Sequence, residues 1–104
     1  MISRRTIQNV VRDIVRDCRP EKVILFGSYA RGKQRSDSDL DIFVVANLRS
    51  GSSERIRRVR RAISGTGFGI DVVVRTPAEF RRALEGRDWF VQEIAETGKV
   101  VYAR

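Results

Sequence analysis

Apolar residues recur at Ile7, Val10, Val11, Ile14, Val15 and Cys18, a spacing of three and four that predicts an amphipathic helix. Ser3 can cap its start and Pro20 closes it. Val23 to Phe26 is a short continuous apolar run between Pro20 and Gly27, which predicts a buried strand. Residues 28–38 turn polar, giving a loop that opens with a helical turn at Ser28. Asp39 to Val45 predicts a second strand, and Asn47 to Ser53 a flexible connection. A helix follows from about Ser53 to Ser64, with Ile56, Val59 and Ile63 inward and Gly65 as its stop. Arg57, Arg58, Arg60 and Arg61 occupy the rest of its circumference. Phe68 to Val74 predicts a third strand, in which Ile70, Val72 and Val74 alternate with Asp71 and Val73.

The remainder is strongly punctuated. Thr76-Pro77-Ala78-Glu79 is a capping box with proline at the first helical position, and that helix carries Phe80, Ala83 and Leu84 to about Gly86. Asp88 caps a last helix bearing Trp89, Val91, Ile94 and Ala95, stopped at Gly98. Val100 to Tyr102 ends the pattern as a short strand. The order of elements describes an α/β (α+β) domain with one mixed sheet and helices packed mainly on one face. At 104 residues, the expectation is one domain over residues 1–104 with one core.

Composition removes several chemistries. The chain has no histidine, so a Ser-His-Asp triad, His-ligated zinc and an imidazole base are excluded. Its one cysteine, Cys18, excludes an internal disulfide and fits a reducing, cytoplasmic setting; its place on the apolar helix face makes it a core residue. No apolar run reaches membrane-spanning length, and Arg4 and Arg5 lead into a charged amphipathic pattern rather than a signal peptide. The net charge of +8 favours acidic partners, direct nucleic-acid binding among them. All basic residues but Lys22, Lys33 and Lys99 are arginine, however, a bias that genome composition produces as readily as function.

Candidate chemistry gathers at the junctions of the apolar runs. Gly27-Ser28 ends the first strand, and Asp39-Leu40-Asp41 opens the second after ten intervening residues. Positions i and i+2 of a strand share a face, so Asp39 and Asp41 converge while Leu40 and Ile42 enter the core. Two such carboxylates resist double ionisation unless a cation sits between them. A hard divalent ion such as Mg²⁺, which arrives with the phosphates of a substrate, suits them. Asp71 supplies a third acid if its strand lies beside the second. Three carboxylates can hold two ions for in-line displacement at phosphorus, with Asp71 as candidate acceptor of the nucleophile's proton. Glycine at 27 lets the backbone approach a phosphate, and the Ser28 hydroxyl can donate to it.

These residues carry a resemblance. Gly27-Ser28 followed by Asp39-x-Asp41 looks like the signature of the nucleotidyltransferase superfamily with the DNA polymerase β fold, and Ala30-Arg31-Gly32 and Ser38-Asp39-Leu40-Asp41 match its minimal (MNT) branch. The resemblance implies that Gly27, Ser28 and Arg31 bind the nucleotide, and that Asp39, Asp41 and Asp71 bind Mg²⁺ and act in catalysis. It further implies an antitoxin that transfers AMP from ATP to a tyrosine hydroxyl of a HEPN-type ribonuclease toxin. A binding-only antitoxin, or nucleotidyl transfer to a small molecule or an RNA end, are the alternatives. The arginine-rich helix and Trp89, Phe90 and Tyr102 are candidate docking surfaces beside their plain reading as solvated helix and core.

Overall fold

A computed structural model describes residues 1–63 and 67–104. Its elements are α1 (Arg4–Cys18), β1 (Lys22–Phe26), α2 (Ser28–Arg31), β2 (Leu40–Val45), α3 (Ser52–Ala62), β3 (Ile70–Arg75), α4 (Pro77–Glu85), α5 (Trp89–Thr97) and β4 (Lys99–Ala103). The four strands form one sheet in the order β3-β2-β1-β4. β1 runs antiparallel to both β2 and β4, and β2 runs parallel to β3. The parallel pair needs a crossover, which α3 provides.

The ends of the elements follow the residues that mark them. The Ser3 side chain accepts from the Thr6 N–H at the start of α1, and Arg19 ends it in the left-handed region with its N–H on the Val15 carbonyl. Pro20 then forbids continuation. At α4 the Thr76 hydroxyl accepts from the Glu79 N–H at 3.1 Å, while the Glu79 carboxylate accepts from the Thr76 N–H at 2.8 Å. Arg55 of α3 donates to the same carboxylate at 2.7 Å. That guanidinium, with the Thr76 N–H, holds the Glu79 carboxyl below the usual range. One acid thus closes a helix cap and ties α4 to α3. Asp88 caps α5 by accepting from the Val91 N–H.

The sheet carries apolar layers on both faces. Val23 and Leu25 of β1, Leu40, Ile42 and Val44 of β2, and Val72 and Val74 of β3 meet Val10, Ile14 and Cys18 of α1 and Val59 and Ala62 of α3. This is the larger core. On the opposite face Ile24, Phe43 and Val45 lie under Phe80 of α4 and Val91 and Ile94 of α5. The reason is visible in β2, where both alternating sets of side chains are apolar and every residue from Ile42 to Val45 is buried. Burial pushes the Cys18 thiol up, which suits a packing role.

Three details depart from the sequence expectation. The third strand begins at Ile70 rather than Phe68, so Asp71 is its second residue, and it is exposed. Trp89 is 78% exposed. It is the first residue of α5, about 200° round the helix from Val91, so burial of Val91 and Ile94 turns it outward. α3 ends at Ala62, and the proposed stop at Gly65 lies outside the described residues. Around α3, Arg57 and Arg61 pair with Glu54 and Arg60 donates to the Ile70 carbonyl, so its arginine surface is largely engaged locally. Among the described residues no helix is long and apolar enough to cross a membrane.

Replacing Thr76 by alanine removes one half of the reciprocal cap. It should cost about 1 kcal/mol, read as a lower urea midpoint with an unchanged slope.

Candidate active site

The site is built by strand register. Phe26, the last residue of β1, lies opposite Asp41, and Asp41 lies opposite Asp71 across the parallel pair. The three form one row at the end of the sheet where β1 stops and β2 and β3 start. By the two-residue period their side chains stand on the face that carries Phe43 and Val73, under α4 and α5. Those helices cover the far end of that face, which leaves Asp71 exposed and Asp41 half-buried.

Asp41 and Asp71 approach within hydrogen-bonding reach of each other. Burial, the hydrogen bond and charge of Asp71, and the charge of Asp39 push the Asp41 carboxyl up to about 6. Gly27 sits directly against Asp41: a Cβ at position 27 would overlap the Asp41 Oδ2. Gly27 also holds φ at 72°, where a side chain is strained. The first turn of α2 begins there, with the Ala30 and Arg31 N–H groups on the Gly27 carbonyl at 3.2 Å. Ser28 is therefore presented at the lip of the acidic pair. Arg31 is exposed, and its Nε donates to the Gly27 carbonyl at 3.5 Å.

Asp39 stands one step further out, before β2 begins, and is exposed. Its carboxylate lies against Gly69, where a Cβ would overlap Asp39 Oδ1, and the Leu40 N–H donates to the Gly69 carbonyl at 3.0 Å. Of the three acids, Asp41 and Asp71 are brought together; Asp39 acts on Asp41 through its charge and rests on Gly69. Among the described residues, no three acidic side chains are grouped closely enough to hold a metal ion as they stand. The donor chemistry nonetheless fits one. The acids are all-oxygen donors, and the upward push on Asp41, which comes from burial first and then from Asp71 and Asp39, shows a carboxylate whose charge a divalent cation would offset.

Gly69 has no place in the sequence reading, although a signal exists. Gly69-x-Asp71 repeats the spacing of Asp39-x-Asp41 on the neighbouring strand, with the carboxylate of the first row seated where the glycine has no side chain. The half-exposed Phe90 of α5, whose ring meets that of Phe26 edge-on at 5.9 Å, also borders the site.

The raised Asp41 carboxyl has a measurable sign. Between about pH 4 and pH 6 the folded chain holds a proton there that the unfolded chain, with an ordinary aspartate pKa of 3.8, has given up. This group therefore lowers stability as pH rises through that window. Asp41→Asn should melt several degrees above the parent at pH 7, with the gap closing toward pH 4. A gap independent of pH would contradict the crowding.

Comparison with known proteins places this geometry. The nucleotidyltransferase domain family matches residues 5–102. A protein of Methanocaldococcus jannaschii named "Putative protein adenylyltransferase MJ0604" is 32% identical over 85 residues, covering 81% of this chain and 80% of the relative. A solved toxin–antitoxin structure with AMP-PNP superposes with a TM-score of 0.67 at 25% identity, covering 93% of this chain and 73% of that one. A structure of a "putative nucleotidyltransferase" from Sulfolobus solfataricus superposes at 0.59 and 23% identity, covering 98% and 90%. A mixed four-stranded sheet flanked by helices is thus the fold shared with these neighbours, and the chain belongs to the nucleotidyltransferase domain family of enzymes.

Proposed function

We propose that the chain is an antitoxin that transfers AMP from ATP, in a Mg²⁺-dependent reaction, to a tyrosine hydroxyl of a HEPN-type ribonuclease toxin. The observation that carries the reading is the Asp41–Asp71 pair beside the Gly27 turn in a chain of this family. The adenylyltransferase name of the archaeal relative and the toxin–antitoxin assembly of the AMP-PNP structure support the reaction and the kind of partner. The whole of residues 1–104 acts as one minimal nucleotidyltransferase domain, working in the cytoplasm.

Asp39, Asp41 and Asp71 would hold Mg²⁺, which when bound offsets the negative charge of the triphosphate and of the departing pyrophosphate. The chain's own residues do the rest. Gly27 keeps the turn free of a side chain, so a phosphate can approach the backbone where Ser28 presents its hydroxyl. Arg31, one turn along, adds positive charge on that side. The tyrosine oxygen forms a bond to the α-phosphorus as the bond from that phosphorus to the pyrophosphate oxygen breaks, and the pyrophosphate leaves with the electron pair. The phenolic proton passes to Asp71, the exposed member of the pair, with Asp41 against it. Because Asp39 and Asp71 both face solvent, an acceptor carried on another macromolecule can reach the reacting phosphorus.

Incubation with α-labelled ATP, Mg²⁺ and the candidate toxin should place label on the toxin and relieve its ribonuclease activity. Asp41→Asn and Asp71→Asn should each reduce labelling by roughly 10²–10⁴-fold. Label on RNA or a small molecule, or full neutralisation by both variants, would overturn the proposal.

A further inference from the structure

Phe90 is an anomaly for a core aromatic: 48% of it remains exposed, on the side of α5 that meets Phe26. Its ring packs edge-on against Phe26 at a centroid separation of 5.9 Å. Phe26 is the direct cross-strand neighbour of Asp41 and the residue before Gly27. On the other side Phe90 shares a groove of about 620 Å³ with Val73, which stands one pleat beyond Asp71 on the same face of β3. The ring thus joins Phe26, the cross-strand neighbour of Asp41, to a groove that begins one pleat beyond Asp71 and is lined by none of the three acids. The groove continues along the edge of β3 to Arg75 and to the Arg55–Glu79 ion pair. Its size and its mix of apolar wall and a few polar groups suit a small planar ligand rather than a protein segment.

We infer that Phe90 is the stacking platform for the base of the nucleoside triphosphate. The inference rests on the nucleotide reading above and adds the base subsite to it. A triphosphate at the Gly27–Ser28 turn and the acids has its nucleoside end free to lie along this wall, where an aromatic face binds any base through its π-surface. Trp89, beside it and 78% exposed, is the chain's one tryptophan and so a local fluorescence reporter.

Calorimetric titration in Mg²⁺ with a non-hydrolysable ATP analogue and, separately, with inorganic tripolyphosphate tests the platform. Phe90→Ala should weaken the analogue by about 5- to 150-fold, the range for loss of one base–aromatic stack, and leave tripolyphosphate unchanged. Phe90→Trp should keep the analogue's affinity near that of the parent. Phe90→Leu, which preserves apolar packing against Phe26, should fall between the two. Equal affinity of parent and Phe90→Ala for the analogue overturns the platform alone. Parallel loss of analogue and tripolyphosphate in Phe90→Leu overturns it too, by showing a merely structural role. A parent that binds neither ligand overturns the nucleotide reading itself.

Discussion

Two like charges held side by side by strand pairing set the terms for the rest of this molecule. Asp41 and Asp71 are fixed opposite each other by the parallel register of β2 and β3, and a one-residue slip of β3 would turn Asp71 and Arg75 toward the core that Val72 and Val74 occupy. The repulsion is therefore locked in by the same contacts that stabilise the fold. Burial of Leu40, Ile42 and Val44 under α1 and α3 fixes β2 from one side, and Phe43 under Phe80 fixes it from the other. A site that is unfavourable by itself persists because hydrophobic packing on both faces over-determines the backbone that carries it.

The arrangement also explains how so small a chain can host phosphate chemistry. The acids stand where β1 ends and β2 and β3 begin, so three strand ends supply the turn, the first pair of acids and the third acid with no dedicated lobe. α4 and α5 cover only the remote part of that face, which leaves the acidic end accessible while Phe43, Val45 and Ile24 stay dry.

Much of this was legible in the sequence. The helix at Ile7–Cys18, the capping box at Thr76 and the cap at Asp88 announce themselves through local chemistry, and local chemistry is what a linear reading sees. The pairing of Asp41 with Asp71 could be anticipated only conditionally, because adjacency of β2 and β3 is a tertiary fact. Three features were out of reach for the same kind of reason. The alternation of Ile70, Asp71 and Val72 leaves the exposure of Asp71 open, because that is decided by where α4 and α5 stop covering the sheet. Trp89 reads as core by its residue type, yet its angle round α5 points it to solvent. The seat of the Asp39 carboxylate on Gly69 joins residues thirty positions apart and leaves no local trace beyond a repeated spacing.

Gly27 and Gly69 are small for different reasons, and the difference has a consequence for reading other chains of this fold. Gly27 is held by two independent conditions, a positive φ and the volume taken by Asp41, so losing the acid alone does not free the position. Gly69 has no positive φ, and only the Asp39 carboxylate forbids a side chain there. A homologue that has shed the acid at the position of Asp39 is thereby released to carry alanine or something larger opposite it. The occupant of that second site then serves as a steric record of whether the first still holds a carboxylate.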